Sequence, residues 1–382
     1  MKRLDPERLK RTVLEGLRSD FENYNFGGAA ITVAQEGRVL LDERIGYKDV
    51  TTREPLRGGE MFRLASMTKP ITGAAFLKAR ELGYFDMEDK VSEYFPEIAK
   101  MRVGGLEEGR VVSLGKPKRD ILMYHLLSHQ SGFMAASPVC SAEEDMIPLS
   151  AYETNETLVD YCLKNTRLTF EPAEAVGYCT TIPFDVVAVI IERKSGKRYG
   201  EFLRDELFAP LGIKDITFNP TEEQWARTVT MCDRAYGGGI VGIDMGRHIF
   251  EQYPLTLHAA GCGLLGSAED YFRFAEMLRQ GGELDGARVL SEDSVRLLRT
   301  PLVSPEIMPG GHRWSLGCRV ITGHPTLPDG CFGWSGAYGT HFWIDRENDI
   351  TALLMRNMRW HDTHGAGSIG VRLEKEVMSC LE

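Results

Sequence analysis

The sequence predicts an α+β fold: an antiparallel sheet built from both chain ends and flanked by helices, with a mainly helical domain inserted between the ends. Three observations predict it. Strand-like runs fall within residues 29–44 and return only within 316–356. The stretch between about 85 and 235 reads as helices and irregular connections. The chain has 382 residues, 43% hydrophobic and 26% charged, which is ordinary globular composition with ample apolar mass for a large core. The expected division is a discontinuous sheet domain, residues 1–84 and 236–382, around a helical domain, residues 85–235, with the active site at their interface.

Asp5-Pro6 reads as a helix cap and first position. Leu9, Val13, Leu17 and Phe21 then share one face of an amphipathic first helix. A hairpin follows, Ala29 to Gln35 and Arg38 to Arg44, turning at Glu36-Gly37. The next helix starts near Ser66, with an apolar face of Ile71, Ala74, Ala75, Ala79 and Leu82 and a stop at Gly83. Further helices are expected over Ile121 to Leu127, Glu156 to Lys164, Pro183 to Lys194 and Tyr199 to Leu207. Ser267 caps another, Tyr271 to Arg279. Strands return at Leu316 to Thr322, Gly339 to Ile344 and Ile350 to Arg356, before a last helix over residues 367–381.

The most informative local pattern is Ser66-Met67-Thr68-Lys69-Pro70-Ile71-Thr72. Residues i and i+3 share a helix face, so the Ser66 hydroxyl and the Lys69 amine can meet. A serine hydroxyl is a poor nucleophile until a neighbouring base takes its proton, so the pair suggests acyl transfer through a serine ester. Pro70 falls in the first turn, where it removes no helical hydrogen bond. A second match, Ser113-Leu114-Gly115-Lys116, lies beside Gly115 and Pro117 and reads as loop, where nothing fixes the spacing. Acyl transfer also needs a proton carrier for the leaving group. Tyr152 and Tyr178 both have a hydroxyl residue two places on. Tyr178 is favoured, because it follows Pro172 and Gly177 and directly precedes an apolar helix.

Other readings weigh less. The net charge of -10 and the short basic run Lys116-Pro117-Lys118-Arg119 argue against a nucleic-acid partner. No stretch approaches the ~20 apolar residues that span a bilayer. The N-terminus does not read as a secretion signal, and the eight cysteines include no Cys-x-x-Cys, so reduced thiols and a cytoplasmic address are expected. The sequon at Asn155 then carries no meaning. Gly261-x-Gly263-x-x-Gly266 matches a dinucleotide fingerprint, but no β-α-β pattern surrounds it, so no cofactor is expected. His361-Asp362-Thr363-His364 fits no helix-based zinc motif, and no metal is expected. No Gly-x-Ser-x-Gly elbow is present.

Five segments, in order, resemble the serine β-lactamase and penicillin-binding protein superfamily, in its class C-like branch with the family VIII carboxylesterases and transesterases. They are Ser66 to Thr72, Leu126-Leu127-Ser128-His129-Gln130-Ser131-Gly132-Phe133, Gly261 to Ser267 with the helix after it, Gly281 to Gly286, and Gly333-Trp334-Ser335-Gly336-Ala337-Tyr338-Gly339-Thr340. The resemblance runs from about residue 25 to the C-terminus. It implies a β-lactamase-like fold, with Ser66 as the acylated nucleophile and Lys69 as its base or hydrogen-bond partner. Tyr178 would be the proton carrier, and the backbone N–H groups of Ser66 and Ala337 the oxyanion hole. Thr180, Trp334, Ser335 and Gly336 would contact substrate, and His129 would be structural.

Two departures bear on the substrate. Thr180 stands where the lactamases carry an asparagine, and Trp334 where they carry lysine or another polar residue. A tryptophan offers apolar surface, worth about 1–3 kcal/mol to a buried apolar partner, and no attraction for a carboxylate. The implied activity is hydrolysis of small neutral esters. An acyltransferase or transesterase, a β-lactamase, a D-amino-acid peptidase or amidase, and a non-catalytic binding module remain as alternatives. The partner is a small-molecule ester or amide, and the sequence leaves the oligomeric state open.

Overall fold

The computed structural model describes residues 1–134, 137–144, 147–246, 256–359 and 368–382. Helix α1 (Pro6–Glu22) leads to strands β1 (Gly28–Gln35), β2 (Arg38–Asp49), β3 (Glu54–Pro55) and β4 (Met61–Arg63). A 3-10 turn, Ala65–Met67, runs into α2 (Thr68–Glu81). The hairpin β5 (Val103–Glu107) and β6 (Arg110–Gly115) precedes α3 (Met123–Leu127), α4 (Pro138–Glu144), α5 (Asn155–Asn165), α6 (Ile182–Ser195) and α7 (Tyr199–Leu203). Then come β7 (Ile216–Thr217), α8 (Glu222–Ala226), the hairpin β8 (Met231–Arg234) and β9 (Ile240–Ile243), and β10 (Leu265–Ser267). Helix α9 (Ala268–Arg279), β11 (Glu283–Leu284), β12 (Ala287–Arg288) and α10 (Glu292–Leu298) follow. The chain closes with β13 (His312–Trp314), β14 (Arg319–Ile321), β15 (Phe332–Ser335), β16 (His341–Asp345), β17 (Ile350–Arg356) and α11 (Ile369–Ser379).

Both chain ends build one antiparallel sheet, in the order β13-β14-β15-β16-β17-β1-β2-β3. The ends join where β1 pairs with β17, Ala29 opposite Arg356 and Gln35 opposite Ile350. Both strands are buried along their whole length, because helices cover both faces. On one face Ile31, Val33, Ala352 and Leu354 meet Leu9, Val13 and Leu17 of α1 and Leu373 and Val377 of α11. On the other, Ala30, Leu353 and Met355 join the larger core of α2, α6 and α9. The fold is thus the expected α+β type.

Local signals account for most boundaries. The Asp5 carboxylate accepts the N–H groups of Glu7 and Arg8, capping α1 with Pro6 at its first position. Glu36 and Gly37 have φ of 54° and 76°, the left-handed pair of a two-residue hairpin turn. Gly83, at φ 76°, ends α2.

Several expectations are corrected. Ser113-x-x-Lys116 is not loop throughout, since Ser113 lies in β6 with its side chain exposed. Leu82 does not join the apolar face of α2, being 43% exposed just past the helix end. The helix expected over Tyr199 to Leu207 is α-helical to Leu203 and continues as a π-turn over Arg204–Phe208. Residues 85–235 also hold β5, β6, β7 and β8; β7 and β8 are only two and four residues long, and the half-exposed β5 and β6 show little alternation. In the C-terminal part, β13 and β15 add to the strands read from sequence, and the strand expected at Leu316 to Thr322 is only Arg319–Ile321. The segment His361 to His364 lies outside the described residues.

Candidate active site

Ser66 lies in the middle of the 3-10 turn Ala65–Met67, two residues before α2 begins at Thr68. The preceding Ala65 has φ 48°, a costly backbone state for a non-glycine residue. The turn is held from several sides. Leu64 N–H donates to Leu264 O at 3.0 Å, and Thr340 Oγ1 donates to Leu64 O at 2.9 Å. Lys69, in the first turn of α2, is fully buried. Its Nζ donates to Ser66 Oγ at 3.3 Å, Thr180 O at 3.1 Å and Gly261 O at 2.8 Å. Three acceptors match the three protons of an ammonium. The same nitrogen stands 4.8 Å from the centre of the Tyr178 ring and 4.9 Å from that of Phe184.

The structure brings Tyr178 to the same hydroxyl, its Oη donating to Ser66 Oγ at 2.7 Å. Trp334 Nε1 donates to Tyr178 Oη at 3.3 Å. Ser66, Lys69, Tyr178 and Trp334 therefore form one connected group, although residues 66 and 334 lie on opposite sides of the inserted helices in sequence. Thr180 enters through its main chain, its carbonyl serving Lys69 while its side chain is exposed.

The third motif closes the group. Gly336 N–H donates to Thr340 O at 2.7 Å, fixing the turn that carries Ala337. A Cβ on Gly336 would fall 2.3 Å from Leu64 O, so only glycine lets this turn press against the one bearing Ser66. Ser335 points to the other side of the strand, where its Oγ lies 2.7 Å from His341 Nδ1.

His129 is buried and accepts the Cys179 N–H through Nδ1 at 3.3 Å, holding the segment that presents Tyr178. Burial, then the nearby Lys69, push its pKa well below the usual histidine value, which keeps the ring neutral. Cys179 is likewise buried.

Sequence reasoning missed three contributors. Trp314 completes an aromatic wall, its ring centre 4.4 Å from Trp334, 4.6 Å from His129 and 5.7 Å from Tyr178. No local signal marked it. Gly261 was recognised as part of a glycine-rich turn but not as a carbonyl for Lys69. Asp185 is fully buried in α6, accepting Ala260 N–H at 2.8 Å and Asn155 Nδ2 at 3.0 Å. Burial outweighs these bonds and nearby Lys69, raising its pKa to about 7. A lone charge in the apolar run from Ile182 to Ile191 was the available clue. The sequon residue Asn155 is buried beside it. Gly261, Gly263 and Gly266 serve this packing: Gly263 N–H closes a turn onto Ala259 O, and Gly266 lies in β10 between β4 and β7.

Residues 10–362 match the family described as Beta-lactamase. The chain belongs to the beta-lactamase family. It is 29% identical over 349 residues to protein Rv1367c of Mycobacterium tuberculosis (strain ATCC 25618 / H37Rv), covering 86% of this chain and 85% of the relative. It is 26% identical over 372 residues to esterase EstB of Burkholderia gladioli, covering 90% and 89%. Among solved structures, EstCE1, a hydrolase with promiscuous acyltransferase activity, superposes with a TM-score of 0.80 at 20% identity over 98% of both chains. A family VIII carboxylesterase gives 0.75 at 21% over 97% of both. At that identity the two structures establish the beta-lactamase-like fold. This beta-lactamase family member is a serine hydrolase. Among its described residues, no helix is long and apolar enough to cross a membrane.

Proposed function

We propose that the protein hydrolyses small neutral carboxylic esters through an acyl-enzyme on Ser66, at the interface between residues 1–84 with 236–382 and residues 85–235. The observation that carries this reading is the placement of Ser66 Oγ, 2.7 Å from Tyr178 Oη and 3.3 Å from Lys69 Nζ, beside an indole where a cation would be needed for an anionic substrate. In this reading Tyr178 enters the step as the phenolate, held between the Lys69 ammonium and the Trp334 N–H; Ser66 Oγ attacks the ester carbonyl and its proton passes to the phenolate oxygen. The three acceptors of Lys69 suit it to hold Ser66 and Tyr178 in register as a fixed cation. The Ser66 and Ala337 N–H groups receive the oxyanion. Tyr178 returns the proton to the leaving alcohol, and water then releases the acid by the same steps in reverse. Trp334, Gly336 and Thr180 line the acyl or alcohol side, and Ser335 is reached across the open strand edge.

The likeness to EstB supports an ester as substrate. The cysteines, all eight buried and unbridged, support a cytoplasmic address. Acyl transfer to an alcohol is the second reading, favoured by the structural likeness to EstCE1 and its acyltransferase activity. The test is turnover of short-chain nitrophenyl esters beside a chromogenic cephalosporin. We expect ester hydrolysis at least ~10³-fold above Ser66→Ala, with little cephalosporin cleavage. A cephalosporin cleaved faster than the esters would overturn the neutral-ester reading. Ester consumption that rises on adding alcohol selects the transferase. No turnover and no adduct at Ser66 with a reactive phosphonate selects a non-catalytic scaffold.

A further inference from the structure

Behind the third motif runs a second hydrogen-bonded chain. Ser335 Oγ lies 2.7 Å from His341 Nδ1, and His341 Nε2 lies 3.1 Å from Glu374 Oε1. His341 is 2% exposed and Glu374 is fully buried, whereas Ser335 is partly open to solvent. Strand β14 pairs with β15 at Phe332 and Gly333, so Trp334 and Ser335 lie beyond the last paired residues, on an open edge. Adjacent strand residues point to opposite faces. A ligand laid along this edge meets the Trp334 indole, bonded to Tyr178, on one side and the Ser335 hydroxyl on the other.

The direction of each bond in the chain follows from Glu374. The carboxylate accepts from Arg319 Nη2 as well as from His341. Burial opposes its ionisation, but His341 and Arg319 outweigh burial and lower its pKa to about 2. An ionised carboxylate only accepts, so Nε2 of His341 carries the proton. In neutral imidazole Nδ1 is then the acceptor. Ser335 donates its one proton inward and shows only lone pairs to the edge.

We propose that the Ser335–His341–Glu374 chain fixes Ser335 as a hydrogen-bond acceptor toward the bound ester. The site thereby selects esters carrying a hydroxyl or ammonium donor near the scissile group and rejects those carrying a carboxylate. The inference rests on the reading of Ser66 as nucleophile. The charged groups around His341 are few. Helix α11 supplies Glu374 and also packs Gly370 against the ring, and β14 supplies Arg319 through Glu374. His312 of β13 and His324 lie within electrostatic reach of the same Arg319–Glu374 pair. Across the sheet β17 presents Leu354, and on the same strand the nearest ring is Trp343, 5.5 Å away.

The test uses nitrophenyl esters of matched length ending in methyl, hydroxyl or carboxylate, with wild type, Ser335→Ala and Glu374→Gln. At pH 8, wild type should prefer the hydroxyl ester over the carboxylate ester by about ten- to hundredfold in kcat/KM. Ser335→Ala should bring the hydroxyl ester down to the methyl ester's value. Glu374→Gln offers its oxygen to Arg319 and its N–H to His341, so Nδ1 becomes the protonated nitrogen and the carboxylate ester gains at the same pH. A purely structural role would lower all three esters together. Nitrogen-15 NMR of wild type should show His341 protonated on Nε2, which decides the tautomer even where Glu374→Gln does not fold. Equal rates for hydroxyl and carboxylate esters, a preference surviving Ser335→Ala, or a proton on Nδ1 at pH 8 would overturn the proposal. A methyl ester that is not turned over, or is turned over equally by Ser66→Ala, would instead remove the esterase reading on which the proposal rests.

Discussion

At Gly261 the site depends on an atom that is missing. A Cβ there would fall 2.0 Å from Thr180 O and 3.4 Å from Lys69 Nζ. Two carbonyls from distant segments can converge on one ammonium only because neither side chain intrudes. Gly261→Ala must push Thr180 away or displace Lys69, and we expect at least a tenfold loss of kcat for ester hydrolysis together with a lower Tm. Full activity in that variant would show that the two carbonyls are not needed to hold Lys69. Legibility at this scale followed sequence distance. Ser66 and Lys69 are three residues apart on one turn, so their meeting is written locally. Tyr178 was found because a proline, a glycine and an apolar helix flank it. Trp314 was not, because only the folded sheet brings it against Trp334 and His129.

Helix α6 shows what an element can hide. Residues Ile182 to Ile191 are buried on all sides, and the only charge among them, Asp185, ties α6 to α5 through Asn155 and to the segment beside Lys69 through Ala260. With a folded pKa raised to about 7 against 3.8 unfolded, the folded state holds an extra proton between those values. Stability from this group is therefore full below about pH 4 and declines as pH rises to about 7. Asp185→Asn, which stays neutral, should gain Tm relative to wild type over that window and hold a constant gap above it. Thermal melts from pH 4 to 8 would read this, and a gap that narrows with pH would contradict it. Elements with strong periodicity or caps were legible: α1, α9, β1 and β17. The hairpin of β5 and β6 was not, although Glu108-Gly109 repeats the turn chemistry of Glu36-Gly37, with φ of 48° and 77°. Its strands are half exposed, and no buried face imposes alternation.

The molecule as a whole was legible from the position of its strands, because apolar runs confined to both ends can pair only with each other. Its stability owes nothing to cross-links: all eight cysteines are buried and none forms a disulfide. Burial raises the thiols of Cys232 and Cys262 to about 12, so thiolate is scarce at neutral pH. Tm should be the same with and without millimolar reductant, and a drop of several degrees on reduction would reveal a bridge.

The joining of β1 to β17 also sets a timetable. Ser66 leaves the ribosome with the first fifth of the chain, but Trp334 and the turn holding Ala337 are made only after the inserted helices, and β1 gains its inner neighbour later still. A growing chain therefore carries its nucleophile with an incomplete set of partners for most of its synthesis. Reactive acyl compounds met during that time find a serine that still lacks the Trp334 indole and the Ala337 N–H. Chemistry switches on late and all at once, when the last strands slot in beside the first.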